Sequence, residues 1–435
     1  MAKSTQRESF LNPFTLVIFL TLSCIFLSVK FLSDQPNTNL FSSLNETMTY
    51  WREGFFGLLG FTLQMIMILV FGYCLAIYRP VHSFLLRVSK FPTTKSQAVL
   101  FVLLISVCCS LANWGFGLIV GALLARFVSE AMSKKRIPID PALLAASSYA
   151  GMAVWHGGLS GSAPLKVAEK GHFLEESIGV ISIDQTIFTG FNFLVTSLLV
   201  LVFAITLILI LRFYKAQNLT IKPKQLQPIE AGKGFPVGIL VGLFMLLCVI
   251  SGYFWSSQDA SFFDLNLVNF ILFALVLLAY RTLPKFTASV KEGLKNSADI
   301  LIQFPFYAGI LGILTSSGLL SSFSTWVLQN SSEASFAPLT LIAAASVNFL
   351  VPSGGGQWAV QGPILMDVSQ TMGFDLGKMV MVFSFGDQIS NLLQPFWALP
   401  LLAITGVRAK HVFKYSVWMF VTGFSLLLIL LTVLL

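Results

Sequence analysis

Apolar residues recur along this chain in long runs separated by short polar connections. A membrane crossing needs about 20 such residues, since a helix rises about 1.5 Å per residue across a hydrocarbon core of about 30 Å. Nine stretches qualify: Pro13 to Leu32, Gly54 to Tyr78, Pro141 to Leu165, Ile187 to Phe213, Phe235 to Trp255, Asp264 to Tyr280, Ser297 to Val327, Leu376 to Gly406 and His411 to Leu435. The first has no small-residue cleavage site and reads as a retained helix.

Two further stretches are interrupted. Residues 97–128 break at Asn113-Trp-Gly-Phe-Gly117, and residues 339–366 break at Asn348-Phe-Leu-Val-Pro-Ser-Gly-Gly-Gly356. With halves of about 15 residues, or roughly 22 Å, each stretch is expected to enter and leave the membrane on one side as a re-entrant hairpin. The two asparagines differ by 348 − 113 = 235 positions, and the same offset carries Gly151 onto Gly386 and His156 onto Asn391. The pattern therefore predicts an all-α polytopic membrane protein of inverted repeats, each with a re-entrant hairpin followed by a broken helix, about nine spans plus two hairpins. Residues 1–234 form the first repeat, 235–255 a linking span, and 264–435 the second repeat.

Composition agrees: 56% of residues are hydrophobic and 11% charged, with a mean hydropathy of +0.82, which suits lipid as the solvent. The net charge of +8 lies in short basic clusters between apolar runs, a topology code rather than a nucleic-acid surface. The clusters after the second span, the first hairpin, the fourth and sixth spans and before the last span all fall on one side if the hairpins are re-entrant. The positive-inside rule then puts the N-terminus in the cytoplasm and the C-terminus outside, with the first hairpin opening inward and the second outward. The five cysteines lie in apolar runs without ligand spacing and read as packing residues, so no metal or cofactor is expected.

Four polar clusters fall at membrane depth. They are Asn113 with Gly115 and Gly117; His156 with Gly158, Ser160 and Ser162; Asn348 with Ser353, Gly354, Gly355, Gly356, Gln357 and Gln361; and Asp387 with Gln388, Ser390, Asn391 and Gln394. Glycine allows a sharp turn and brings bare N–H groups to a ligand, while half-helix N-termini favour an anion. The first three clusters are assigned to substrate and the last to a coupling ion. Asp387 is an acid inside a span, and such acids are functional by default; it could take a proton or offer oxygen to Na⁺, and the sequence leaves the choice open. With no Lys or Arg deep in any run, an anion would be held by helix ends and amides, which suits a small monocarboxylate; a dicarboxylate or phosphate would usually bring an Arg. His156 is equally able to serve a carboxylate, carry protons or simply pack.

At these residues the chain resembles the bacterial short-chain fatty acid transporters, the acetoacetate and butyrate uptake type within the ion transporter superfamily. The resemblance rests on Asn113-Trp-Gly-Phe-Gly-Leu-Ile-Val-Gly-Ala, Gly158-Leu-Ser-Gly-Ser, Gln303-Phe-Pro-Phe-Tyr-Ala-Gly-Ile310, Val351-Pro-Ser-Gly-Gly-Gly-Gln-Trp358 with Gln361-Gly-Pro, and Gln394-Pro-Phe-Trp-Ala-Leu-Pro400. It implies secondary uptake through the bacterial inner membrane, a fixed scaffold with a moving transport domain, elevator-like alternation and possible homo-oligomers. Family members can show Gly in place of His156 and Glu in place of Asp387. An efflux carrier or exchanger for another small anion is the alternative. An intramembrane serine hydrolase built on Gly158-Leu-Ser160-Gly161 lacks a base at the required reach.

Overall fold

The structure, a computed structural model, describes residues 13–36, 38–57, 59–168, 170–172, 174–213, 228–255, 265–295, 297–350 and 354–435. Among the described residues the regular elements are twenty α-helices and four short 3-10 turns, with no strand beyond one isolated bridge between Tyr78 and Ile229.

One group of helices comes from the start of the chain and from its middle. It holds α1 (Pro13–Ser33), α2 (Leu40–Gly54), α3 (Leu59–Ile77) and α4 (Arg79–Val88). The helix α2 is absent from the span prediction because it has only 15 residues, with Asn45, Glu46, Arg52 and Glu53 among them; its Ser43 and Thr47 are buried, and Thr47 shares a 2.9 Å hydroxyl bond with Ser28 of α1.

A second group opens with α5 (Lys95–Ala112) and α6 (Trp114–Lys134), followed by α7 (Pro141–Tyr149), α8 (Ser162–Ala168), α9 (Glu175–Ile178) and α10 (Gly190–Phe213). The chain then returns to the first group with α11 (Val237–Trp255), α12 (Leu265–Tyr280), α13 (Leu283–Leu294) and α14 (Ala298–Ser316), after which α15 (Leu319–Gln329) crosses to pack on the second group. The single span expected over 297–327 is two helices, because Gly318 adopts a left-handed φ of +79° that ends the first. The chain finishes in the second group with α16 (Glu333–Leu350), α17 (Gly354–Thr371), α18 (Leu376–Ser390), α19 (Pro395–Thr405) and α20 (Ala409–Leu434). The groups meet where α3 and α4 lie on α6.

Both helix pairs expected as hairpins exist, and their helices are longer than the sequence suggested. Those of the first pair have 18 and 21 residues, and both of the second have 18. Among the described residues, five helices (α5, α6, α10, α11 and α20) are long and apolar enough to cross a membrane, so length by itself does not make the first pair re-entrant. The pairs also differ: α5 and α6 pack along their length, whereas α16 lies mainly on α18 and touches α17 little.

The two spans expected to be broken are broken at matching places. After α7 the chain makes 3-10 turns at Ala150–Ala153 and Trp155–Gly157, and after α18 it makes one at Asn391–Leu393. A Cβ on Gly151 would stand 2.3 Å from Ser110 Oγ of α5, and one on Gly386 would stand 2.5 Å from the Leu341 carbonyl of α16. Each glycine thus presses its broken helix onto the first helix of its own pair. The cysteines are free; Cys24 and Cys74 are buried as expected, but Cys108 and Cys248 lie exposed on helix faces rather than packed inside.

Candidate functional site

Asn113 ends α5 and caps α6. Its backbone is extended and its Oδ1 accepts the Phe116 N–H at 3.0 Å, satisfying a donor that the helix start leaves free. Gly117 lies against Ser110, whose Oγ would be 2.0 Å from an added Cβ, and Gly115 lies against Ile68. These two glycines give helix–helix approach, and the site is built from the segments beyond them. The tip of the pair is tied to the first break: Leu159 N–H donates to the Leu111 carbonyl at 2.7 Å, Trp114 N–H donates to Ser160 Oγ at 3.0 Å, and a Cβ on Gly158 would be 2.1 Å from the Leu111 oxygen.

On the other side, Asn348 near the end of α16 organises the second break. Its amide nitrogen donates to the Asp387 carbonyl (2.7 Å), Ser390 Oγ (2.8 Å) and Asn391 Oδ1 (2.8 Å), and its own carbonyl accepts from the Gln394 amide. Gln357 donates to the Ala344 carbonyl at 2.8 Å and to Gln361 Oε1 at 2.7 Å, clasping α17 to α16. Ser353 lies outside the described residues.

The two breaks meet. His156 N–H donates to Gln388 Oε1 at 2.9 Å, Asn391 donates its amide to the Met152 carbonyl at 3.1 Å, and the Tyr149 hydroxyl is 2.8 Å from the carbonyls of both Asn391 and Gln394. At their centre His156 Nε2 stands 3.3 Å from Asp387 Oδ1, with side chains 0% and 1% exposed. The N-terminus of α17 faces this pair: a Cβ on Gly354 would be 2.8 Å from His156 Nε2 and 3.2 Å from Ser162 Oγ. Gly355 beside it is exposed, with nothing within 4 Å of its Cβ position.

Three indoles wall the same place. Trp155 lies 3.7 Å from the His156 ring, Trp114 6.0 Å from Trp155, and Trp397 5.0 Å from Trp114, all between ring centroids. Several buried polar atoms converge here without a hydrogen-bond partner: His156 Nδ1, Asn348 Oδ1, Gln357 Oε1, Asp387 Oδ2, Gln388 Nε2 and Gln394 Oε1. Buried polar groups are normally satisfied, so such a cluster marks where a polar ligand or ion is accommodated.

The structure thus brings together His156, Ser162, Asn348, Gly354, Gln357, Gln361, Asp387, Gln388 and Asn391. Sequence reasoning left Tyr149 and the indoles out of the site, although two of the tryptophans stand in the motifs quoted above; it placed Ser390 and Gln394 in the cluster around Asp387 without giving them a role. It also missed a buried cation. Arg126 of α6 is 8% exposed, bonds Glu130 Oε1 at 3.1 Å and reaches the Ile404 carbonyl at 3.4 Å. It lies 12 residues beyond Trp114, about 18 Å along the helix, and serves a structural ion pair away from the site.

Among the described residues, crossing-length apolar helices packed around a buried polar centre define an integral membrane protein. The family model for short chain fatty acid transporters matches residues 3–233 and 237–435, and the chain belongs to that family. A protein of Escherichia coli strain K12 carrying the short-chain fatty acid transporter name is 35% identical over 381 residues, covering 84% of this chain and 85% of its own. A namesake from Haemophilus influenzae is 32% identical over 390 residues, covering 85% and 86%. Among solved structures, the Alcanivorax borkumensis YdaH transporter aligns over 96% of this chain and 98% of its own at 15% identity and a TM-score of 0.45. Neisseria gonorrhoeae MtrF, described as an antimetabolite efflux pump, aligns over 97% and 95% at 13% identity and a TM-score of 0.42. The family is one of transporters, not enzymes. In keeping with this, Ser160 Oγ is bound to a backbone N–H and the His156 ring faces Asp387 instead.

Proposed function

We propose that this chain carries short-chain monocarboxylates, such as butyrate or acetoacetate, into the cell by cation-coupled alternating access. The observation that carries the reading is the His156–Asp387 pair, enclosed where two broken helices and the start of α17 converge. The N–H groups that open α17 at Gly354 and Gly355, with the Gln388 amide and His156, offer donors to a carboxylate. The indoles of Trp114, Trp155 and Trp397 supply the apolar wall for a short acyl tail. Gly115, Gly117, Gly158 and Ser160 hold this arrangement in place through packing and backbone bonds.

Asp387 with Gln388 and Asn391 takes the coupling ion, Na⁺ or H⁺. Two carboxylates about 6 Å apart repel by about 3 kcal/mol at an effective dielectric of about 20. A bound cation removes that penalty and so links the two occupancies by a factor of about 100. Without the cation the substrate binds weakly; without the substrate the cation gains little.

The inverted repeat finds support in the matching 3-10 breaks and in the offset glycines, each pressed on the first helix of its own pair. In this reading the two pairs α5–α6 and α16–α17 are re-entrant and travel with the second group of helices against the first, as an elevator. The chain sits in the bacterial inner membrane with its N-terminus in the cytoplasm and its C-terminus outside. The test is uptake of labelled butyrate into proteoliposomes under separate Na⁺ and proton gradients, with acetate, hexanoate and acetoacetate competing. Uptake driven by one gradient and blocked by butyrate-sized acids is expected; uptake equal to that of empty vesicles under both gradients sinks the proposal.

A further inference from the structure

Where the two breaks meet, the buried polar atoms without a partner are of two kinds. Gln388 Nε2 and Trp155 Nε1 are donors. Asn348 Oδ1, Gln357 Oε1, Gln394 Oε1 and Asp387 Oδ2 are acceptors, on residues 0% to 2% exposed. Donors suit the carboxylate of the proposed substrate, whereas these four oxygens would repel it.

The three amide oxygens are held as acceptors by what their nitrogens do. Asn348 Nδ2 donates to the Asp387 carbonyl, Ser390 Oγ and Asn391 Oδ1, Gln357 Nε2 to the Ala344 carbonyl and Gln361 Oε1, and Gln394 Nε2 to the Asn348 carbonyl. Turning over any of these amides would set its oxygen against a carbonyl oxygen. The same bonds gather the four residues. Asn348 is bonded directly to Asp387 and Gln394, and Gln357 is bonded to Ala344, one turn before Asn348 on the same face of α16. His156 Nε2 approaches Asp387 Oδ1, at 3.3 Å, so Oδ2 is the oxygen left to the amides.

Buried acceptors without donors call for positive charge. A proton on Asp387 Oδ2 could serve one amide oxygen in turn and would leave two unmet. A hard cation takes several oxygens at once, and one carboxylate balances one positive charge.

We propose that Asn348, Gln357, Gln394 and Asp387 hold a sodium ion through these four oxygens, which makes Na⁺ rather than H⁺ the ion coupled to uptake. The inference rests on the reading above that Asp387 takes the coupling ion. Of the residues given to the ion there, Asp387 alone has an unpartnered oxygen, since Gln388 Oε1 accepts the His156 N–H at 2.9 Å and Asn391 Oδ1 accepts from Asn348 at 2.8 Å. Potassium has the same charge, but its gradient across a bacterial membrane runs outward and would drive export.

The experiment is equilibrium binding of radioactive sodium to the purified full chain in detergent without substrate, with choline as the balancing cation, beside butyrate uptake into proteoliposomes. One sodium per chain is expected, displaced by excess Na⁺ but not by K⁺. Gln357→Leu and Gln394→Leu, each short of one oxygen, should bind it roughly tenfold more weakly, and Asp387→Asn should bind none. Replacing choline by sodium should also raise the unfolding midpoint of the wild-type chain, a readout that needs no variant to fold. No sodium binding by the wild-type chain, with uptake driven by a proton gradient and lost in Asp387→Asn, overturns the sodium site while the reading of Asp387 stands. Sodium held equally by all three variants also overturns it. Concentrative uptake by Asp387→Asn at the wild-type level sinks the underlying reading as well.

Discussion

Gly354 and Gly355 are neighbours at the start of α17, and the structure gives them opposite sensitivities. A methyl group on Gly354 would lie 2.8 Å from His156 Nε2, 2.9 Å from its Cε1 and 3.2 Å from Ser162 Oγ, whereas one on Gly355 would meet nothing within 4 Å. The imidazole has little room to retreat: it is 0% exposed, with the Trp155 ring centroid 3.7 Å behind it and Asp387 3.3 Å away. Overpacking of a closed site costs about 1–3 kcal/mol, which is roughly a 5- to 150-fold change in an equilibrium or rate. Labelled butyrate uptake by Gly354→Ala, normalised to inserted protein, should therefore fall by a factor in that range, while Gly355→Ala should stay within about twofold of wild type. Adding His156→Gly to Gly354→Ala removes the obstructing ring and should recover part of the binding loss, seen as a lower KM than in the single variant. Equal uptake by the two alanine variants, with both stably inserted, would refute the placement of α17 against His156.

Asp387→Asn should abolish concentrative uptake without disturbing insertion; accumulation at wild-type level in proteoliposomes removes Asp387 from coupling. Gly355→Leu should fold, because the position is open, and should still block transport by projecting into the approach to the α17 N–H groups; normal uptake would make that turn structural only. Gly158→Ala places a carbon 2.1 Å from the Leu111 carbonyl, a backbone atom that cannot rotate away, so stability should drop by about 3 kcal/mol or more, read as an unfolding midpoint in detergent. Trp155→Ala should move competition toward longer acids, hexanoate gaining on butyrate by roughly fourfold per added methylene at about 0.8 kcal/mol each; an unchanged order of competitors would take Trp155 out of the acyl wall.

Much of this protein is written along the chain. Apolar runs report lipid-spanning helices because hydrocarbon demands it at every position, so α1, α3, α10, α11, α12 and α20 were legible within a few residues. The breaks were legible in part: Asn113 separates α5 from α6 and Gly151 stands in the first 3-10 turn, where glycine and asparagine act by local conformational rules, whereas Asn348 lies two residues before the end of α16 and Gly386 stays inside α18, whose break comes at Asn391. The intramembrane acid Asp387 stood out for the same local reason: its charge contradicts its neighbours.

Tertiary structure alone decided what those breaks do. The polar, half-buried α2 and α13 were invisible because their burial depends on helices distant in sequence. Gly115 and Gly117 looked like ligand glycines, yet only packing against Ile68 and Ser110 shows them to be contact surfaces. Arg126 went unnoticed near the end of an apolar run, and only the fold shows it in the interior beside Glu130 and Ile404. Spacing gave His156 and Asp387 separate membership of two segments; the fold set them 3.3 Å apart. Periodicity and residue type act on neighbours in sequence, whereas a site assembled from α7, α16, α17 and α18 rests on contacts between residues up to about 240 positions apart, which no local rule encodes.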